Sequence, residues 1–198
     1  MTARRCLPLL RLVGLVILTV FGPFRWRGRL PKQGGLLLLA NHTSDLDPVL
    51  VQGATNRQVF FMAKDELFQM PVLGKVIRWF QAFPVKRGEP DRGSIRLAVD
   101  LIKSGEVVCV FPEGQLSESG ELQPILPGVE LIARMAGCPV VCVGIKNANR
   151  IMPYGMTIPR PAFRWVTVTI GEPWVNAEDF TARVREELLE LSGARPGS

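Results

Sequence analysis

Two apolar runs, Val107-Val108-Cys109-Val110-Phe111 and Val140-Val141-Cys142-Val143-Gly144-Ile145, limit the possible folds of this chain more than any other feature. Both are short, rich in β-branched residues and apolar on both faces, the pattern of strands buried inside a parallel sheet. Weaker signals at residues 36–39, 59–62 and 165–170 predict three more strands. Helical spacing appears at residues 94–103 through Ile95, Ala98, Leu101 and Ile102, with Ser94 as the expected cap and Gly105 past the end. Residues 129–136 and 178–191 repeat that spacing, the latter through Phe180, Val184, Leu188 and Leu191. The alternation predicts an α/β fold with a mixed, mostly parallel sheet covered by helices. With 198 residues, 47% of them hydrophobic and 21% charged, the chain can bury the core of one domain.

In an open α/β sheet the chemistry sits where strands end, and three polar clusters here follow apolar runs. The only histidine, His42, follows Asn41 at the end of the apolar run Leu36 to Ala40, and Asp47 lies five residues on. A lone imidazole oriented by a carboxylate can act as a general base near neutral pH. The same residues also allow a plain structural reading. Asp47 would then cap a helix whose first residue is Pro48, and His42 would be a half-buried histidine with a satisfied hydrogen bond. The second cluster is Phe83-Pro84-Val85-Lys86-Arg87-Gly88, and the third is Phe111-Pro112-Glu113-Gly114.

Taken in order, Asn41-His42-x4-Asp47, the Lys86-Arg87-Gly88 block, the Phe-Pro-Glu-Gly block and the run at Pro139-Val140-Val141-Cys142-Val143 resemble the four-block pattern of the glycerolipid acyltransferases. Residues 63–68, then Pro71 and Gly74, and later Gly171-Glu172-Pro173, fit the same pattern, so the resemblance covers about residues 34 to 175. It implies transfer of a fatty acyl group from a thioester to the free hydroxyl of 1-acylglycerol-3-phosphate, giving phosphatidate. In that reading His42 takes the hydroxyl proton, and Asp47 holds the ring and stabilises the imidazolium. No serine stands in a Gly-x-Ser-x-Gly elbow, which favours direct attack over an acyl-enzyme.

The resemblance also makes Arg87, with Lys86 beside it, the expected phosphate-binding group, and a guanidinium fork suits phosphate oxygens. It marks Glu113 as an acceptor-site residue. Physically, that carboxylate could bind an acceptor hydroxyl or hold Arg87, while Gly114 lets backbone approach closely; an ordinary turn is the structural alternative. Two departures bear on the acceptor. Gln115-Leu116 replaces the family's usual Thr-Arg, and Gln81 stands where Gly is common. Another lysophospholipid, or another acylated alcohol or amine, therefore stays open as acceptor. A silent lipid-binding protein and a thioester hydrolase are the alternatives of other kinds. The co-substrate is expected to be acyl-CoA or an acyl carrier protein thioester, with no cofactor.

The net charge of +6 is concentrated at one end. Seven of the 24 cations and no acid lie in residues 1–32, leaving seventeen cations against eighteen acids elsewhere. Within that segment, residues 7–21 are apolar except for Arg11. As a helix they would span about 22 Å, short of the roughly 30 Å hydrocarbon core, and this predicts a surface-lying anchor. The interleaved Phe24-Arg25-Trp26-Arg27 reads as interfacial, so the expected partner is a membrane lipid surface at its cytoplasmic face (inner or plasma membrane), and not nucleic acid. The expected division is an anchor at 1–33, the acyltransferase domain at 34–191 and a flexible tail at 192–198.

The four cysteines, Cys6, Cys109, Cys138 and Cys142, form no Cys-x-x-Cys pair, and one histidine cannot complete the usual zinc sets. Free thiols and no metal are expected. Val72, Leu73, Val76, Ile77, Trp79 and Phe80 predict a helix packed on the core, part of which could line a groove for an acyl chain.

Overall fold

The computed structural model describes residues 12, 16, 20–86, 91–156 and 158–197. Seven strands form one sheet in the order β1-β7-β6-β2-β5-β3-β4. They are β1 (Phe24–Arg27), β2 (Leu36–Ala40), β3 (Val59–Lys64), β4 (Ala82–Val85), β5 (Val107–Val110), β6 (Val140–Lys146) and β7 (Val166–Ile170). All neighbouring pairs are parallel except β6 with β7, so the sheet is mixed and mostly parallel, as the sequence predicts. The two fully apolar runs, β5 and β6, flank β2 at the centre.

Strand β2 shows how the core is divided. Leu36, Leu38 and Ala40 point into one apolar layer and Leu37 and Leu39 into the other, as a pleated strand buried on both faces requires. The first layer is covered by helix α1 (Asp47–Ala54) and the short α5 (Ala148–Ile151). The second is covered by α3 (Arg92–Lys103), α4 (Gly128–Ala136) and α6 (Phe180–Ser192). The connection leaving β2 runs through α1 to β3, and the one leaving β5 runs through α4 to β6, on the other side. Adjacent strands whose connections diverge open a crevice at their carboxyl ends.

Several expectations need correction. The cap of α3 is Asp91, whose Oδ1 accepts from Ser94 N at 3.0 Å, so Ser94 is a helical residue and not the cap. Strands β1 and β4 were not foreseen. The aromatic-arginine alternation of β1 read as interfacial, yet Phe24–Arg27 pairs with Val166–Thr169, which puts residues 24–27 in the sheet and not in a separate anchor. Pro84 argues against a strand, but β4 is an edge strand, where proline is tolerated. The helix α2 (Leu73–Trp79) does not bury its apolar stretch as expected; Val72 is 75% exposed, and Leu73 and Val76 are exposed too. It is only two turns long and packs on the 3₁₀ turn Asp65–Gln69 that precedes it.

The expected tail is tied down. Leu122 N donates to Arg195 O and Gly197 N to Leu122 O, with Leu122 bridged to Pro196. In the amino-terminal segment Leu12, Val16 and Val20 are helical and exposed, while the rest of the anchor expected at residues 7–21 lies outside the described residues apart from Phe21, which is helical. Among the described residues no helix is long and apolar enough to cross a membrane.

Candidate active site

The carboxyl ends of β2 and β5 bring His42 and Glu113 together. Backbone parts of the chain beyond β2 cannot continue the ladder, and Asn41 takes over that task. Its Nδ2 donates to Ile145 O at 2.9 Å and its Oδ1 accepts from Ile145 N at 2.7 Å, locking the chain to β6 one residue before His42.

After that lock the chain turns into α1, with Pro48 in the first turn where its missing N–H costs nothing. Asp47 is the first helical residue and not the cap, so the plain structural reading fails in that form. Its wholly buried carboxylate turns back into the loop. One oxygen, Oδ2, accepts from Thr43 N at 2.7 Å, Ser44 N at 2.8 Å and His42 Nδ1 at 2.9 Å. Because an ionised carboxylate only accepts, Nδ1 is assigned the proton and Nε2 the lone pair. Nε2 makes no hydrogen bond among the described residues. The ring, 8% exposed as a residue, stacks on Phe111 with centroids 4.0 Å apart.

Burial raises the Asp47 carboxyl above its ordinary value near 3.8, while the His42 hydrogen bond and charge and the amides of Ser44 and Thr43 pull it back. Its Oδ1 is buried without a partner among the described residues, so the carboxylate leans its hydrogen bonding there on one oxygen.

Glu113 is also buried. Its Oε1 accepts from His42 N at 2.7 Å and its Oε2 from Gln123 N at 2.8 Å. Burial raises its carboxyl, and the same two amides counter that rise. From the other side, Ser117 N donates to His42 O at 2.8 Å, so both backbone groups of His42 are held by the segment after β5. Gly114 sits at φ +70°, a left-handed conformation natural for glycine, and this turns the chain sharply after Glu113.

The structure therefore gathers His42, Asp47, Glu113 and Gly114. Lys86 is exposed at the end of β4, on the same edge of the sheet, and no hydrogen bond or ion pair joins it to those four among the described residues. Arg87 lies outside the described residues. Sequence reasoning gave no role to Asn41, Ser44, Phe111, Ser117 or Gln123. Asn41 and Ser44 stand within two residues of His42, Phe111 opens the Phe-Pro-Glu-Gly block and Ser117 follows three residues after it, which is a usable signal; Gln123 is ten residues away from Glu113 and left none. Gln81, standing where glycine is common, adopts φ +59°, which accounts for the preference in physical terms.

An imidazole held in one tautomer by a carboxylate, with its other nitrogen unoccupied, is equipped to accept a proton. Comparison with known proteins gives this geometry a family. Residues 24–146 match the model of the acyltransferase family described as "Acyltransferase". A 1-acyl-sn-glycerol-3-phosphate acyltransferase of Bacillus subtilis is 35% identical over 83% of this chain and 79% of its own length. A lysophosphatidylcholine acyltransferase of Drosophila melanogaster is 29% identical over 79% of the chain, which spans 31% of that relative. The crystal structure of the 1-acyl-sn-glycerophosphate acyltransferase PlsC from Thermotoga maritima superposes with a TM-score of 0.76 at 26% identity, covering 94% of this chain and 77% of that one. The chain thus belongs to the acyltransferase family and is an acyltransferase similar to the 1-acyl-sn-glycerol-3-phosphate acyltransferases.

Proposed function

We propose that this acyltransferase moves a fatty acyl group from a thioester, acyl-CoA or acyl carrier protein, to the free hydroxyl of lysophosphatidate at a membrane surface, giving phosphatidate. The observation that carries the reading is the His42 ring, bonded through Nδ1 to buried Asp47 with Nε2 making no hydrogen bond among the described residues. Nε2 takes the acceptor's hydroxyl proton as its oxygen attacks the thioester carbonyl. The new C–O bond forms, the C–S bond breaks, and the departing thiolate collects the proton from the imidazolium. A thiol of ordinary pKa about 8.5 leaves without a strong acid, so one histidine serves both halves of the reaction.

Asp47 stabilises the imidazolium that exists between those transfers. Glu113 acts as a positioning residue, since both of its oxygens face backbone amides, one of them that of His42. Arg87 and Lys86 supply the phosphate contacts, a role that rests on the resemblance of their block.

The test incubates the purified protein in mixed micelles with labelled palmitoyl-CoA and lysophosphatidate, beside His42→Ala, and resolves the lipids. Phosphatidate is expected from the wild type, with a loss of about 10³-fold or more in the variant. Comparable product from both would remove His42 from the reaction, and product with lysophosphatidylcholine alone would change the acceptor.

A further inference from the structure

The segment between β6 and β7 carries apolar side chains that the core does not use. Phe163 is 97% exposed, Ile158 74% and Trp165 51%. They are mixed with cations: from residue 131 to residue 171 the chain has Arg134, Lys146, Arg150, Arg160 and Arg164, and no acid. Asp45 and Glu118 act on Tyr154, nearer the other end of the segment.

The position of this segment gives it meaning. Strand β6 is parallel to β2, with Ala40 opposite Val143, so residues after Lys146 emerge on the edge where His42 follows Ala40. Strand β7 is antiparallel and begins on that same edge. Ser44, inside the His42 to Asp47 loop, donates its Oγ to Met152 O at 2.9 Å, which fastens the segment to the candidate active site. At its far end Ala162 N donates to Phe21 O at 2.6 Å, joining it to the amino-terminal segment.

We propose that residues 152–156 and 158–165 dock the active-site edge on an anionic lipid bilayer, with Phe163 and Ile158 entering the interface and Arg160 and Arg164 facing the head groups. This rests on the reading above that the acceptor is a membrane lipid, and it adds a second contact to the amino-terminal one. Exposed aromatic and aliphatic groups beside arginines match the interfacial layer of an anionic membrane, where cations are drawn to the head groups. A bilayer is favoured over an acidic protein by continuity. Leu12, Val16 and Val20, exposed at helical spacing of four, precede Phe21, to which Ala162 is bonded, so exposed apolar side chains continue along the chain from the point where the loop is fastened. Docking there would present the acceptor lipid to the edge that holds His42.

The experiment measures cosedimentation of the full chain with vesicles of phosphatidylcholine, alone or mixed with phosphatidylglycerol. The proteins compared are the wild type, Phe163→Asp with Ile158→Asp, Arg160→Glu with Arg164→Glu, and Lys103→Glu as a control at the opposite edge. The wild type and the control should prefer the anionic vesicles. The arginine pair should lose that preference, weakening by about tenfold or more, and the apolar pair should bind both vesicles poorly. Transfer to a water-soluble short-chain acceptor should stay at the wild-type level in every variant, which shows that the folded site is intact. Vesicle binding unchanged in both pairs overturns the proposal, as does normal vesicle binding with a selective loss of activity toward an acyl carrier protein donor. If the wild type acylates no lysophosphatidate and yet both pairs lose vesicle binding, the docking surface stands and the functional reading falls.

Discussion

Both edges of the sheet bury polar groups, but of different kinds. At the edge away from His42, the amide of Gln52 is wholly buried: its Nε2 donates to Arg57 O at 2.9 Å, and its Oε1 accepts from Val59 N at 3.0 Å and Gln58 Nε2 at 3.1 Å. The Arg57 guanidinium donates to the carbonyls of Pro31, Gly34 and Gly105, tying three loops together, and Pro31 and Gly34 also line an open pocket of about 330 Å³. Its only ionisable lining side chain is Cys138, whose thiol burial pushes up. At the His42 edge the buried groups include two carboxylates and an imidazole beside the Asn41 amide. A neutral amide satisfies buried backbone at little cost, whereas an ionised carboxylate in the same setting opposes folding unless it is well bonded. Among the described residues each edge leaves one buried oxygen without a partner, Gln58 Oε1 on an amide and Asp47 Oδ1 on a carboxylate. The second is the costlier to keep, and the proposed proton transfer at His42 would give it a reason to be there.

This contrast can be broken by substitution. Gln52→Ala should lower the unfolding free energy by about 2–3 kcal/mol, because Val59 N and Arg57 O lose their buried partner, with turnover per folded molecule unchanged. Urea titration beside a phosphatidate assay reads both quantities, and a matching loss of turnover would mean that the two edges are coupled. Glu113→Gln should reduce turnover by about tenfold, since an amide nitrogen must face the N–H of either His42 or Gln123. Full turnover in that variant would remove its positioning role.

The same variant sharpens the pH behaviour. Burial raises the carboxyls of Asp47 and Glu113 above ordinary values near 3.8 and 4.5. The folded state therefore holds those protons more tightly than the unfolded chain does. Their contribution favours folding below the ordinary values and is lost as pH rises through the raised ones. Glu113→Gln should flatten the fall in stability over that window, while Gln52→Ala should run parallel to the wild type. The smallest effect is expected at Gln81, whose left-handed backbone a glycine adopts without strain. Gln81→Gly should raise stability by about 0.5–1 kcal/mol with no change in turnover, and a lower melting temperature would contradict it.

The five strands read from the sequence were legible because burial on both faces writes itself as apolar runs. Strands β1 and β4 were not, because edge strands tolerate the arginines of Phe24–Arg27 and the proline at 84. His42 and Asp47 were legible as a pair, but their spacing alone could not show that Asp47 turns back from the first turn of α1 to meet the ring. Glu113 was found by its motif while its partners were hidden, since hydrogen bonds to the backbone of His42 and Gln123 leave no trace in residue identity. The helix at Leu73–Trp79 misled for the converse reason: an apolar stretch signals burial whether the surface it covers is core or not.

The account turns on Asp47 being kept for catalysis and not for stability, and Asp47→Asn tests this most directly. The amide carbonyl can still accept from Thr43 N and Ser44 N, so folding is preserved while the buried charge is gone. Unfolding free energy equal to or above that of the wild type, with turnover reduced by about 10³-fold, is the predicted result. A clear loss of stability with turnover per folded molecule intact would show that Asp47 is a structural cap and that His42 works without it.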